Sequence, residues 1–381
     1  MNNSRWRMTV LVAGHAVDDL YQGAVPAVVP FLVAERSYSY LAAAGITVAA
    51  TLLSSVVQPL FGVLTDRRPM PWLVPVGMIV AGAGIGLCGL SSSYLFTWLA
   101  VALSGLGVAA YHPEAARLAR RVSRGGHVGM GWFALGGNVG FALGPVFVTP
   151  VLAFGGLAAS PVLAVPALVG GVLTWVAQRG ARGNGGQPEI RAGRDDWRQF
   201  GRLTVVVIAR SMVTFGLGTF LAIWVAQRVG GLIAGSVALV VLFGVGAAGT
   251  LLGGVLAERW GRIRVVRVSY ALGVPAVAGV ALAPGPAVYV FVALTAVTLY
   301  VPFSLHTTLG QDYLPNRLGT AGGVTLGLAV SVGGLAAPAV GALASAATLQ
   351  WALLSLVVLP LVAWVAARGL AEPVRCGLEP R

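Results

Sequence analysis

The sequence predicts an all-α membrane protein: twelve transmembrane helices in two pseudo-symmetric six-helix bundles. Three observations carry the prediction. The 381 residues are 57% hydrophobic and only 10% charged, against roughly 25% charged in an average soluble protein. The apolar residues gather into runs of about 20, enough for a helix to cross a hydrocarbon layer about 30 Å thick. Blocks of the first half recur in the second. The 53 glycines have no triplet period and lie among Leu, Val and Ala, which points to closely packed helices rather than collagen or a flexible linker.

The twelve runs lie near 8–32, 42–64, 72–90, 94–113, 128–150, 158–177, 203–227, 236–256, 265–282, 287–309, 321–345 and 349–367. Only "AATLQ" separates the last two. The longest polar interval, 178–202, is rich in Gly and Arg and follows the sixth run. It divides the chain into an N-terminal bundle, 1–177, a cytoplasmic linker, 178–202, and a C-terminal bundle with a short tail, 203–381. "GVLTDR" at 62–67 returns as "GVLAER" at 254–259, and Gly129, Gly140 and Pro145 fall on Gly322, Gly333 and Pro338 at nearly the same offset. Two such matches on either side of a central linker indicate duplicated bundles around a site at the membrane midplane, as in secondary transporters.

The chain has no lysine, so all 25 basic residues are arginine. Of these, 22 fall in the ends of the chain and in the loops after even-numbered runs, counting Arg267 at the edge of the ninth run with the loop before it, two (Arg36 and Arg228) in the opposite loops, and Arg210 inside a run. The positive-inside rule therefore puts both termini in the cytoplasm of a multi-pass protein of the cell membrane. The net charge of +13 is this loop bias. With no basic stripe among aromatics, nucleic acid is not an expected partner. The first run is too long and too polar at its middle for a signal-peptide core and is expected to be retained. Cys88 and Cys376 have no pairing or metal spacing. "GAGIGLCG" at 82–89 contains G-x-G-x-x-G without a preceding strand, so it reads as helix packing. No Ser/His/Asp or Cys/His motif and no H-E-x-x-H occurs. Neither an enzyme, a cofactor nor a metal site is expected.

The charged residues inside the runs need a reason. If the first run starts near Met8, a rise of 1.5 Å per residue puts Asp19 about 16 Å deep, close to mid-bilayer. An ionised group at a helix centre costs about 2.5–3.5 kcal/mol on insertion scales, which makes it a functional candidate. His15 and Asp19 are four apart and share a face, which Gln22 continues, while Asp18 is turned away by about 100°. Arg210, about 10–11 Å into the seventh run, cannot lose its charge. It must face water, a carboxylate or an anionic substrate, and Asp18 or Asp19 is its expected partner. In "YHPEAARLARR", Pro113 should kink or end the fourth helix and leave His112 near the cytoplasmic mouth. Glu114 and Arg117 can pair as i and i+3. His306 sits at similar depth in the second half. Trp132, Phe133, Phe215, Phe220 and Trp224 are aromatic candidates for a cavity lining, with Asn138 as a polar one.

"GVLTDRR" and "GVLAERWGRIR" resemble the loop signature of the major facilitator superfamily. Gly131, Gly140, Gly144 and Pro145 form a G-x8-G-x3-G-P pattern resembling the antiporter signature of proton-driven drug exporters, although Val148 and Thr149 stand where a double glycine is expected. His15-x3-Asp19, "YQGAVPAVVP", "QPLFGVLTD", "YHPEAARLA", "LGQDYLP" and "VGGLAAPAVGAL" together resemble the fosmidomycin-resistance branch, with Ser345 where an aspartate is expected. The resemblance implies a proton-coupled exporter of a small, polar, anionic compound, working by alternating access and functional as a monomer. Proton coupling then falls to Asp19, His15, Asp18, His112 and Glu114. Substrate contacts fall to Arg210, Gln22, His15, Asp19, Trp132, Asn138 and Phe215, and gating to Gly62, Asp66, Arg67, Arg117, Glu258, Arg259, Gly140, Gly144 and Pro145. The alternatives are an importer or facilitator with the same fold and, more remotely, a membrane sensor or intramembrane enzyme.

Overall fold

A computed structural model describes residues 2–123, 127–178, 194–317, 320–321, 324–325 and 329–373. Regular structure among them is entirely helical. The N-terminal half contains α1 (Asn2–Arg36), α2 (Tyr40–Arg67), α3 (Leu73–Leu87), α4 (Tyr94–Val122), α5 (His127–Gly155) and α6 (Val165–Gln178), the last preceded by a 3-10 turn, Leu157–Ala164. The C-terminal half contains α7 (Trp197–Val225), α8 (Leu232–Trp260) and α9 (Arg262–Leu282). It continues with α10 (Val288–Tyr300), α11 (Phe303–Tyr313), α12 (Ala329–Gly334), α13 (Ala336–Ala346), α14 (Leu349–Ser355) and α15 (Val358–Arg368). Eight helices among the described residues are long and apolar enough to cross a membrane, and three shorter apolar ones lie at Tyr40–Leu52, Leu73–Leu87 and Val332–Ala346. With α1, whose apolar run is broken by His15, Asp18 and Asp19, they account for the twelve expected spans.

Local chemistry sets where these helices start and break. Ser39 Oγ accepts from the Ala42 N–H at 3.2 Å and Asp196 Oδ1 from the Gln199 N–H at 3.0 Å, each capping a helix start. The Asp196 cap starts α7 at Trp197, inside the interval expected to be linker; most of that interval, 179–193, lies outside the described residues. The last span divides into α14 and α15 where Pro360 has no N–H to offer the Leu356 carbonyl. Pro113 does not end α4. Ala115, Leu118 and Ala119 beyond it are buried, and their packing carries the helix on to Val122 at the loss of one backbone bond.

Glycine sets how closely α1 and α5 pack. Gly136, Gly140 and Gly144 recur every fourth residue along α5. A Cβ on them would strike Val12 O, Ala16 O and the Gly23–Ala24 backbone of α1 respectively. The α1 and α5 backbones are therefore in direct contact, as small-residue stripes allow, and Pro145 is buried in the same stretch. Gly333 repeats the arrangement in the second half, where a Cβ would strike Ser211 of α7.

The two bundles meet at the face opposite the chain ends. There Gln227 Nε2 donates to Tyr40 Oη at 3.0 Å and Thr219 Oγ1 to Thr47 Oγ1 at 3.0 Å, and Gly341 abuts the Tyr40 carbonyl. Deeper, Phe141 and Phe243 meet edge to face with centroids 5.4 Å apart. Toward the other face, Gly62 on α2 and Gly254 on α8 each have no described atom within 4 Å of an added Cβ. Gly62, expected to take part in gating, thus has no close neighbour among the described residues.

Candidate functional site

Five polar residues of the first half converge at mid-depth between α1 and α4. Because α4 continues to Val122, His112 lies about 15 Å from its end rather than at the mouth, level with Asp19. His15 Nε2 stands 3.3 Å from Asp19 Oδ2, and His112 Nε2 stands 3.2 Å from Asp19 Oδ1. The two imidazoles are 3.3 Å apart, Nε2 to Nε2. Gln22 Nε2 donates to Asp19 Oδ1 at 2.5 Å. Asp18 was expected to point away from Asp19, yet both reach the same ring, Asp18 Oδ2 lying 3.6 Å from His112 Nδ1. The imidazole is wide enough to meet two carboxylates that leave α1 about 100° apart. Asp18 is fully buried, and among the described residues neither of its oxygens has a hydrogen-bond partner, a costly arrangement for a carboxylate.

The glycine stripe holds this cluster in place. A Cβ on Gly137 would run into Asp19 and His15, so only glycine lets α5 close over them. Phe133, one turn earlier, stacks on His15 with ring centroids 4.1 Å apart and 17° between planes, and its carbonyl meets His15 Nδ1 at 2.7 Å. Trp132, expected with Phe133 among the lining residues and also as a substrate contact, is 57% exposed. Phe133 lies at the centre of the face defined by Gly136, Gly137, Gly140 and Gly144, and Trp132 about 100° to one side; that helical phase separates the two aromatics. Asn138 is part-buried beside Gly137 and makes no hydrogen bond among the described residues. His112 keeps 20% of its side chain exposed, so the cluster has one wet side.

Arg210 belongs to a separate site in the other bundle. It is buried on α7, where its Nε donates to the Leu299 carbonyl at 2.7 Å and its guanidinium lies over Phe303 at 4.4 Å and Tyr300 at 5.4 Å. No ion pair to Arg210 exists among the described residues. The expected pairing with Asp18 or Asp19 is not formed, because the histidines of the first half face those carboxylates while α10 and α11 hold the guanidinium. Phe215 stands one turn along α7 and packs against Gly333. His306 meets the Tyr270 hydroxyl at 3.3 Å with the rings stacked, an inter-helix contact remote from the first cluster. Phe220 and Trp224 are core residues of the closed face, Trp224 donating to the Val280 carbonyl at 2.8 Å.

The remaining candidates lie toward the face where α1 begins and α15 ends. Glu114 is fully buried and takes both Nε and Nη2 of Arg117, so it forms the expected i, i+3 pair and does not join the histidines. Glu258 and Arg259 are exposed in the last turn of α8. The ion pairs there are made instead by Arg262, to Asp312 at 2.7 Å and Glu372 at 3.2 Å; Asp312 lies in "LGQDYLP", outside the loop block that drew attention to this region. The side chains of Asp66 and Arg67 lie outside the described residues. Local spacing offered no metal set, but the fold brings ligand atoms of His15, Asp19 and His112 within 4.8 Å of one another.

The Major Facilitator Superfamily profile matches residues 11–338. The chain belongs to that superfamily. This facilitator is 29% identical over 356 residues to the fosmidomycin resistance protein of Escherichia coli, covering 88% of this chain and 86% of that one. It is also 29% identical over 364 residues to an uncharacterized transporter of the superfamily, YfnC, from Bacillus subtilis, with 91% and 88% covered. Among solved structures it matches a bacterial homologue of the human lysosomal transporter Spinster, in an inward-facing and occupied conformation, with TM-score 0.80, 16% identity and 95% of each chain covered. It also matches the nucleoside transporter NupG, with TM-score 0.74, 11% identity and 95% and 99% covered. Membership makes the chain a multi-pass membrane transporter built on the major facilitator fold.

Proposed function

We propose that this facilitator is a proton-coupled exporter of small anionic compounds of the phosphonate-antibiotic class, moved by alternating access between the bundles of 1–177 and 203–381. The observation that carries the reading is the division of labour between the halves. The first gathers two histidines and two carboxylates at mid-depth, and the second holds one buried arginine with no carboxylate partner among the described residues. Groups able to hold and release a proton thus sit across the cavity from a fixed cation able to hold an anion, the pairing that antiport requires.

The chemistry follows from the geometry. When the cycle opens the cavity to the face of the chain ends, taken as cytoplasmic from the arginine bias, an anion reaches Arg210, whose Nε is anchored to Leu299 and whose terminal nitrogens remain for bidentate recognition. Stacking on Tyr300 and Phe303 keeps that fork planar and in place. Protons delivered from the opposite side neutralise Asp19 and Asp18, lower the cost of closing the bundles over them, and leave when the cavity opens inward again. The fosmidomycin resistance relative supports the anionic substrate class, and the antiporter-like glycines Gly140 and Gly144 support export. The working unit is a monomer in the cytoplasmic membrane, with both termini inside and protons, a small solute and lipid as its partners.

A susceptibility panel tests the reading. Cells expressing the chain should tolerate fosmidomycin or a related anionic phosphonate at higher concentration than vector controls, and energy-depleted cells should retain more of it. Vector-level sensitivity across the panel, with the protein present in the membrane, would contradict it.

A further inference from the structure

We infer that His15, His112 and Asp19 form a binding site for a divalent transition metal ion of the zinc class. The site uses the side chains assigned above to proton handling, but metal binding by the purified protein does not depend on what drives transport.

The spacing is the first ground. A tetrahedral ion with bonds of about 2.0–2.1 Å sets its ligand atoms about 3.3–3.4 Å apart. The observed separations are 3.3 Å between His15 Nε2 and Asp19 Oδ2, 3.2 Å between His112 Nε2 and Asp19 Oδ1, and 3.3 Å between the two Nε2 atoms. Each matches one edge of such a polyhedron, with the carboxylate turning one oxygen to each imidazole and the ligand atoms of the three residues within 4.8 Å of one another. Two imidazoles and a carboxylate select ions of the zinc, cobalt and nickel group over magnesium or calcium, which prefer all-oxygen sets.

The second ground is the hydrogen bonding around those atoms. His15 gives Nδ1 to the Phe133 carbonyl at 2.7 Å, and His112 gives Nδ1 to the Val108 carbonyl at 2.9 Å. An Nδ1–H donating to a carbonyl fixes the tautomer that leaves Nε2 as a bare lone pair, the usual outer support of metal-bound histidine. Gln22 orients the carboxylate in the same way. Two lone pairs and a carboxylate then face one another at contact distance. A single proton bridges two of these three side chains, whereas a metal ion meets all three.

Charge is the third ground. Asp18 lies 3.6 Å from His112 with both oxygens unpartnered among the described residues. Together with Asp19 it supplies the two negative charges that balance a divalent ion in a low-dielectric setting. The exposed edge of His112 leaves a way in and a fourth coordination position.

The test uses the full-length protein, purified without a histidine tag and titrated with Co2+ and then Zn2+. The expected result is one Co2+ per chain with the visible bands of a low-coordinate site, displaced by Zn2+, and a higher melting temperature with Zn2+ present. Asp19→Asn and His112→Ala should each weaken binding about tenfold or more, and so should the outer-shell change Gln22→Ala, while His306→Ala should not. Wild-type protein without saturable binding would overturn the proposal even if every variant misfolded. So would binding that survives Asp19→Asn and His112→Ala in folded protein, or that is lost on His306→Ala alone.

Discussion

His15 of α1 and His112 of α4 face each other Nε2 to Nε2 at 3.3 Å across 97 residues of sequence, with Asp19 in contact with both rings. The relationship couples the positions of two helices to the occupancy of one small polar centre. A neutral amide of similar size at either position keeps a hydrogen bond but does not take up a proton in the physiological range. His112→Gln should therefore reach the membrane at wild-type level and lose uphill export, while retaining exchange of labelled for unlabelled substrate in vesicles. Retained uphill accumulation in His112→Gln would move the histidine to a purely structural role.

Arg210 offers a second, independent prediction. Arg210→Lys keeps the charge but loses the planar fork, the Nε bond to Leu299 and the stacking on Tyr300 and Phe303. Substrate affinity should fall by about threefold to tenfold, on the order of 1 kcal/mol, with expression unchanged. Direct binding to the purified variant measures it, and wild-type affinity would count against bidentate recognition of an anion.

Two glycines should behave oppositely. Gly140→Val drives a side chain into the Ala16 carbonyl of α1, so overpacking should cost about 1–3 kcal/mol or more and appear as loss of folded protein in a thermal-shift or detergent size-exclusion assay. Gly62→Val meets no described atom within 4 Å and should fold normally. If the face around Gly62 closes during the cycle, Gly62→Val should slow transport by populating the inward-open state. Wild-type transport by Gly62→Val would show that α2 makes no close approach there at any stage.

Much of this was legible in the sequence, because membrane helices are written in composition and length. The twelve runs follow from the requirement that backbone polar groups be satisfied within each span, while the arginine bias and the repeated blocks are read from the loops and from recurrence along the chain. His15, Asp19 and Gln22 could be grouped because they share one helix face. What crosses between helices was not legible. Pro113 suggested a helix end, and only the burial of Leu118 and Ala119 shows why α4 continues and raises His112 to the depth of Asp19. The pairing of Arg210 with an aspartate was a reasonable charge argument, defeated by which bundle each residue belongs to. The role of Phe133 over Trp132 follows from helical phase, which becomes decisive once it is known that the glycine face of α5 lies on α1.

Asp19 is the residue proposed to tie proton movement to substrate movement, and everted membrane vesicles carrying an imposed pH gradient test that role directly. Adding a transported phosphonate should discharge the gradient in vesicles with the wild-type chain. Vesicles with Asp19→Asn at equal protein level should hold the gradient while still binding the compound. Discharge by Asp19→Asn at the wild-type rate, or wild-type export that continues undiminished after the gradient is collapsed, would contradict the account.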